Sequence, residues 1–515
     1  MYTPVPSDLQ RLAGVLSVRI RANSEGYLEK AGMKPLGTQP DNGVGLLLAA
    51  AANAYEYSDD PQVKVVMDRA AKYLVRAQQS SDSPLMFPED AIRGLLAYNR
   101  VTGNEEAVAT SRRIGDALLK GAGSESPDVL GALVDLYRAT GDNRYLDFCK
   151  RIAREPKISP TASQNTYKEQ YERLQYLSGL ADLYRITGEA PYLQAVSAGW
   201  ESVRNNSLGL TGAPLAKPEG TGAGNEPVTD ACLTGAWTQL SLDLLQIRGG
   251  AQYAQELEHS IFNQLLAFQD LRTGAIDPHA PVNGSKNPAL ALDRCSAAAA
   301  LAIAEIPEAV WGRFGNGIAI LSYQTGRATI RLRRRATVQI YSEGDYPESG
   351  NIVLHVEPSH DVRFPLRLRV PAWATKFDVS VGESHLSGVP GEYLIVAREW
   401  KPRDTVKISI ELPAKEKTDV RHTGEVAIQR GPELLALSAS GSDDGTELLG
   451  EGPVASAPTL ERVEGDSGRR YSLPGQHEGK PQTLWLVPFS EVLTRYRVWL
   501  KAPGANAQSS RLINH

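Results

Sequence analysis

The sequence is poor in cysteine, with only Cys149, Cys232 and Cys295 among 515 residues. Three thiols cannot all pair, and so few exclude a disulfide scaffold. No stretch approaches 18 uninterrupted apolar residues, so no membrane-spanning helix is expected. Charge of one sign never runs on: 55 Lys and Arg against 60 Asp and Glu give a formal net charge of −5. That balance lacks the basic footprint of a nucleic-acid binder and suits neutral or weakly charged ligands. Among the eight histidines no His-x-x-x-His pair occurs, which leaves a helical histidine zinc site without support. The segment Met1 to Leu9 has no basic flank followed by an apolar core. The chain as given therefore shows no export signal, and a cytoplasmic location, or a periplasmic one after removal of a leader, stays open.

What is present is length, enough for two or three domains with sizeable cores. Up to about residue 310, apolar residues recur at helical spacing in Val44 to Tyr57, Val63 to Gln78, Ala91 to Arg100, Val129 to Arg138, Leu174 to Arg185 and Leu233 to Ile247. The connectors Tyr98-Asn-Arg-Val-Thr-Gly-Asn104, Tyr137-Arg-Ala-Thr-Gly-Asp142 and Tyr184-Arg-Ile-Thr-Gly-Glu189 each set a C-cap glycine before an acidic or amide residue that starts the next helix. Helix, short turn and helix repeated at this spacing predict a stack or closed ring of αα-hairpins rather than a simple bundle, read here as an α/α toroid over residues 1–310. After Trp311 the period becomes two, as in Ala328 to Arg333, Asn351 to Val356, Leu366 to Val370 and Val406 to Leu412. This predicts a β-sandwich over 311–414 and a second over 415–515.

The phrases Gly344-Asp-Tyr-Pro-Glu-Ser-Gly350, Leu368-Arg-Val-Pro-Ala-Trp373, Glu399-Trp-Lys-Pro-Arg-Asp404 and Val426-Ala-Ile-Gln-Arg-Gly-Pro432, with the helical Tyr253 to Leu265, stand in an order that resembles the β-L-arabinofuranosidase group, glycoside hydrolase family 127. The resemblance covers nearly the whole chain and implies an (α/α)6 barrel followed by two β-sandwiches. It also implies a zinc site of one glutamate and three cysteines, one of them the nucleophile, and a separate glutamate as acid/base. Zinc holds such a thiol as thiolate. Carried over residue by residue, the metal glutamate falls on Asp230 and one metal cysteine on Cys232, in Thr229-Asp-Ala-Cys-Leu-Thr-Gly-Ala-Trp237. In Asp293-Arg-Cys-Ser296 a second metal cysteine falls on Cys295 and the nucleophile on Arg294. A shift by one residue would restore Cys295 as nucleophile, although the helical phase of Ala297 to Ile306 opposes it. The metal set is then Asp230, Cys232 and Cys295, with a cation at Arg294 to repel a metal, so absence of a cofactor is favoured over zinc.

Other departures point the same way. Where the family lines its pocket with histidines this chain has Asp90 and Glu169, and the acid/base falls on Glu219, with Glu226 nearby in the same glycine-rich loop. Two carboxyl groups suffice for glycoside hydrolysis, one protonated and one ionised. The plain structural alternatives are solvated loop residues for Glu219 and Glu226, a helix cap for Asp90, a surface helix position for Glu169, and two small buried hydrophobes for Cys232 and Cys295. Tyr27 and Trp237 are candidates for stacking on a sugar, and His279, in Asp277-Pro-His-Ala-Pro281, for contact at the cavity mouth.

Three functions remain open. The first is a glycoside hydrolase of this architecture acting on an oligo- or polysaccharide, with Glu219, Asp230 and Cys295 carrying catalysis. The second is a lyase of uronic-acid glycans in which Arg294 neutralises the substrate carboxylate. The third is a catalytically silent glycan binder. A homodimer is compatible with all three; nucleic acid and membrane partners are not expected.

Overall fold

A computed structural model describes the chain except residues 35, 37–42, 80–84, 122–125, 155–158, 160, 162–165, 218–226, 333–335, 439–460, 464–468, 478–479, 494 and 503–515. The helices are α1 (Gly14–Arg21), α2 (Glu29–Gly32), α3 (Val44–Ser58), α4 (Pro61–Gln79), α5 (Pro88–Thr102), α6 (Glu105–Leu119) and α7 (Val129–Thr140), then α8 (Asn143–Arg154), α9 (Tyr167–Thr187), α10 (Ala190–Asn206), α11 (Ala231–Arg248), α12 (Ala251–Ser260) and α13 (Arg294–Ala304). Helices α3, α5, α7, α9, α11 and α13 each pack on the next, and α13 closes back on α3. That closure is the (α/α)6 toroid. Helix α3 is apolar nearly all round because neighbours cover it on several sides, whereas outer helices such as α4 bury a single stripe.

The repeated connectors act as their sequences require. Gly103, Gly141, Gly188 and Gly249 end α5, α7, α9 and α11 with φ near +70°, and Asn104 caps α6 by accepting from the Ala107 amide at 3.0 Å. Close packing within the ring needs glycine elsewhere. A Cβ on Gly94 would stand 2.3 Å from the Gly45 carbonyl oxygen, so α3 and α5 touch backbone to backbone.

Beyond the toroid, a five-stranded sheet and a seven-stranded sheet face each other as the first sandwich. The N-terminal segment belongs to it: Tyr2–Pro4 pairs with Trp311–Phe314, and Gln10–Leu12 pairs with Gly326–Arg331. Further along, nine described strands form one sheet whose alternating residues feed two apolar clusters. Ala427, Leu434 and Ala436 face Ala267 of the toroid, while Val426, Ile428 and Leu435 face the other way. Toroid and sandwich meet at Glu258 of α12, which is buried. It accepts from Arg369, from the Tyr346 hydroxyl at 2.6 Å and from Trp373 Nε1 at 2.9 Å. No described helix is long and apolar enough to cross a membrane.

The inner helices run parallel. Their C-terminal ends ring a cavity of about 630 Å³. Arg138 of α7 bridges to Asp182 of α9, Arg185 bridges onward to Asp243 of α11, and Arg100 of α5 reaches Asn53 of α3. Burial there, reinforced by Glu308, pushes Glu305 up to about 8. Burial likewise raises Glu308 to about 7, and Asp135 and Asp243 to about 6. Groups raised in the folded state hold protons that the unfolded chain releases near its ordinary 4.5, so stability falls as pH climbs from there through about 8. Thermal unfolding followed across this window should show a declining midpoint, and Glu305→Gln should flatten the decline. A flat wild-type profile would refute the assignment.

Candidate active site

The N-terminal ends of the same helices form the other rim, and there the residues singled out in sequence gather. Asp230 caps α11, accepting from the Leu233 amide at 2.9 Å. Asp293 caps α13 in the same way, accepting from the Ser296 amide at 2.9 Å. The two caps set the first turns of these helices against each other. As a result Cys232 and Cys295, 63 positions apart, are joined in a disulfide with their Cα atoms 4.7 Å apart. Cys149 is a buried free thiol, as its core pattern implies.

Asp230 is 5% exposed. Its Oδ2 lies 3.5 Å from Cys295 Sγ, and the Tyr167 hydroxyl at the start of α9, 3.8 Å from the same sulfur, stands beside it. Burial raises the Asp230 carboxyl above the usual carboxylate range, against the hydrogen bonds from Tyr167 and the Leu233 amide and the nearby charge of His279. Burial and the Asp230 charge together hold the Tyr167 phenol well above its usual range.

Arg294, next to Cys295, turns to the opposite side. It donates to Asp90 Oδ2 and Glu89 Oε1, each at 2.7 Å, and its guanidinium lies 3.9 Å from the centre of the Phe87 ring and 5.1 Å from that of Tyr171. Burial pulls against its charge, but Asp90 and Tyr171 override this and hold it protonated. The Arg294 guanidinium serves both carboxylates directly, and the charge of buried Arg93 also reaches Asp90. Burial, then the charges of Asp90 and Asp128, push Glu89 up to about 8 in spite of Arg294. At neutral pH this pair therefore retains a proton.

Not every sequence candidate joins the site. Tyr27 and Trp237 are each 0% exposed: the Tyr27 hydroxyl is tied to the Ala291 carbonyl at 2.9 Å, and the Trp237 ring stacks on Trp200 at 5.4 Å. Both belong to the core and present no face for a sugar, because apolar helix neighbours surround them. Glu169 is exposed and completes a capping box with Thr166, its Oε2 accepting from the Thr166 amide at 3.0 Å. Asp90 combines the cap-like position in the first turn of α5 with the ion pair to Arg294. His279 is exposed in the loop whose Pro278 carbonyl accepts from the Ala231 amide at 2.9 Å. Glu219 and Glu226 lie outside the described residues. Glu89, Tyr167 and Tyr171 had not been singled out. The available signal was two acidic residues, Glu89 and Asp90, in the first turn of a helix opened by Pro88, where both reach the rim.

The two sulfurs of the site are bonded to each other, and Asp230 is engaged by Tyr167 and the Leu233 amide. Among the described residues no group of three or more His, Cys, Asp or Glu is placed to hold a metal ion.

Comparison with known proteins gives a consistent answer. The model of the β-L-arabinofuranosidase GH127 catalytic domain matches residues 89–287, and that of the GH127 middle domain matches residues 317–413. The non-reducing end β-L-arabinofuranosidase of Bifidobacterium longum subsp. longum is 23% identical over 581 aligned positions, covering 87% of this chain and 86% of the relative. A solved GH127 β-arabinofuranosidase superposes with a TM-score of 0.79 at 19% identity over 97% of this chain and 98% of its own. A GH127 β-L-arabinofuranosidase of Geobacillus stearothermophilus T6 gives 0.74 at 17% identity over 96% and 100%. These structural likenesses show the shared fold; the family models, matched in chain order to the toroid and the first sandwich, support a glycan-acting glycoside hydrolase. The chain is a GH127-like protein.

Proposed function

We propose that this protein is a glycoside hydrolase that releases pentofuranosyl units from the non-reducing ends of oligo- or polysaccharides, with carboxyl groups in place of a metal-held thiolate. Residues 1–310 serve in this reading as the catalytic-type unit, braced by 311–414 and 415–515. The substrate class follows the printed activity of the Bifidobacterium relative. The observation that carries the mechanism is the burial of Glu89 beside Asp90 at this rim, which keeps a proton on Glu89 near neutral pH although both carboxylates share the Arg294 guanidinium.

Glu89 is then the proton donor to the leaving oxygen, and Asp230, beside Tyr167, acts in its carboxylate form at the anomeric carbon or on water. No step is assigned to a metal. Glu219, the acid/base that the family resemblance implies, is the rival donor. The engagement of Arg294 by two carboxylates also favours hydrolysis over elimination, since its charge is already committed and a uronate would have to displace one of them.

Hydrolysis of p-nitrophenyl β-L-arabinofuranoside tests the reading. Glu89→Gln should lower kcat/KM by about 10²–10⁴-fold, the usual contribution of a general acid. Wild-type activity should fall as pH rises through about 8, where Glu89 gives up its proton, and the variant should lack that limb. If Glu219→Gln alone removes the limb, Glu89 is not the donor.

The thiols can be counted directly. Alkylating the unfolded, unreduced chain should label Cys149 only, and labelling after reduction should reach all three cysteines. Cys295→Ser should keep at least about a tenth of wild-type kcat, because a bonded sulfur is no nucleophile. Complete loss, with Cys295 free in the native protein, would restore the thiolate mechanism.

A further inference from the structure

A second cavity, about 510 Å³, opens beside the rim between the toroid and the C-terminal sheet. Thr229, which precedes Asp230, and His279 line one side; Asp419, Arg421, His422 and Trp499 line the other. Thr229 is the neighbour of Asp230, and the Pro278 carbonyl beside His279 accepts from the Ala231 amide at 2.9 Å, so this cavity adjoins the Asp230 end of the site.

Its walls are built from two units but held as one. Asn283 and Gly284 of the toroid pair with Tyr496 and Arg497. Asn283 Oδ1 accepts from the Val498 and Trp499 amides at 2.8 and 3.2 Å, and the Tyr496 hydroxyl donates to the Pro281 carbonyl at 2.6 Å. On the far wall the His422 ring stacks on Trp499 with centroids 4.3 Å apart and planes 16° from parallel. A 2.9 Å contact between His422 Nδ1 and Glu425 Oε2 fixes its edge. Arg421 grips Asp419 through two bonds of 3.0 and 2.6 Å, and these bonds hold Asp419 down to about 2, ionised at any working pH.

This is the chemistry that receives a carbohydrate: a ring fixed in orientation for the apolar face of a sugar, and an ordered carboxylate and guanidinium for its hydroxyls, with apolar Leu210 and Leu215 between. A terminal unit held at Asp230 has to leave the rest of its chain somewhere, and the cavity beginning at Thr229 and His279 lies next to that point. We propose that this cavity is the leaving-group subsite, which binds the oligosaccharide on the reducing-end side of the cleaved bond, with His422 as its stacking platform and Asp419 and Arg421 as its hydroxyl ligands. The inference rests on the hydrolase reading above and goes beyond it by giving the third unit a part in specificity.

The test compares p-nitrophenyl β-L-arabinofuranoside, whose leaving group is too short to fill the cavity, with an arabino-oligosaccharide of three or more units carrying the same terminal sugar. His422→Ala should lower the ratio of kcat/KM for the oligosaccharide to that for the aryl glycoside at least tenfold, mainly through KM. Asp419→Asn, a milder change on an exposed turn, should move the ratio in the same direction and guards against misfolding of the first variant. Calorimetric titration of the oligosaccharide reads the subsite without turnover. If neither substrate is cleaved, the hydrolase reading fails, while a tenfold weaker Kd in His422→Ala would still establish the subsite. A ratio and a Kd both within twofold of wild type in both variants would overturn it.

Discussion

The rest of the molecule depends on six inner helices lying parallel around one axis, so that all their N-termini meet at one rim and all their C-termini at the other. Each helix end carries partial charge, positive where amides are free and negative where carbonyls are. The sequence answers at both ends. Glu89, Asp90, Asp230 and Asp293 stand in caps or first turns at one rim, while Arg100, Arg138, Arg185 and Arg248 occupy last turns at the other. The acidic rim is therefore a product of the fold before it is a catalytic device. What marks the candidate site is how its carboxyl groups are engaged: Glu89 and Asp90 share the Arg294 guanidinium, and Asp230 caps α11.

The phrases that carried the family resemblance turn out to be joinery. Tyr346 of the first, Arg369 and Trp373 of the second, and Glu258 of the helical phrase converge on one buried carboxylate. Arg430 of the last phrase donates to the Pro347 and Glu348 carbonyls at 3.2 and 2.9 Å, and Pro432 accepts from Asn263 at 3.0 Å. A buried carboxylate stripped of these donors would cost several kcal/mol, because its desolvation would go uncompensated. Such residues are costly to replace. They preserve the docking of toroid on sandwich whatever reaction the rim performs, which is why the scaffold can be recognised independently of the site.

The same contrast decides what could be read in the sequence. Glycine at the ends of α5, α7 and α9, and the period-two runs after Trp311, are local signals, and the local rules placed them well. The strands Tyr2–Pro4 and Gln10–Leu12 could not be found that way, since their partners lie some 300 residues on at Trp311–Phe314 and Gly326–Arg331. Trp237 was read as a stacking ring because tryptophan often serves sugars; its burial against Trp200 is a property of the helix pair, which no single segment reveals. Asp90 and Arg294 were both singled out, yet their pairing needs α13 to close the ring onto α3 and α5, and so does the inclusion of Glu89. The cysteines posed the hardest case: spacing and composition were equally compatible with metal ligands and small core residues, and only the opposition of the α11 and α13 first turns brings their sulfurs together.

A rim crowded with carboxylates needs positive charge, and the source of that charge constrains the chemistry. A metal ion would provide it together with an activated ligand, whereas a guanidinium provides charge without one. Arg294 provides the charge alone. It stays protonated, has no open coordination position, and is already engaged by two carboxylates and flanked by two aromatic rings. Since a guanidinium offers neither a nucleophile nor an exchangeable proton near neutral pH, any proton delivered at this rim has to come from the groups it fails to neutralise fully. Burial, with the charges of Asp90 and Asp128, leaves such a group at Glu89. In this reading the catalytic question becomes which carboxyl of the rim holds the proton.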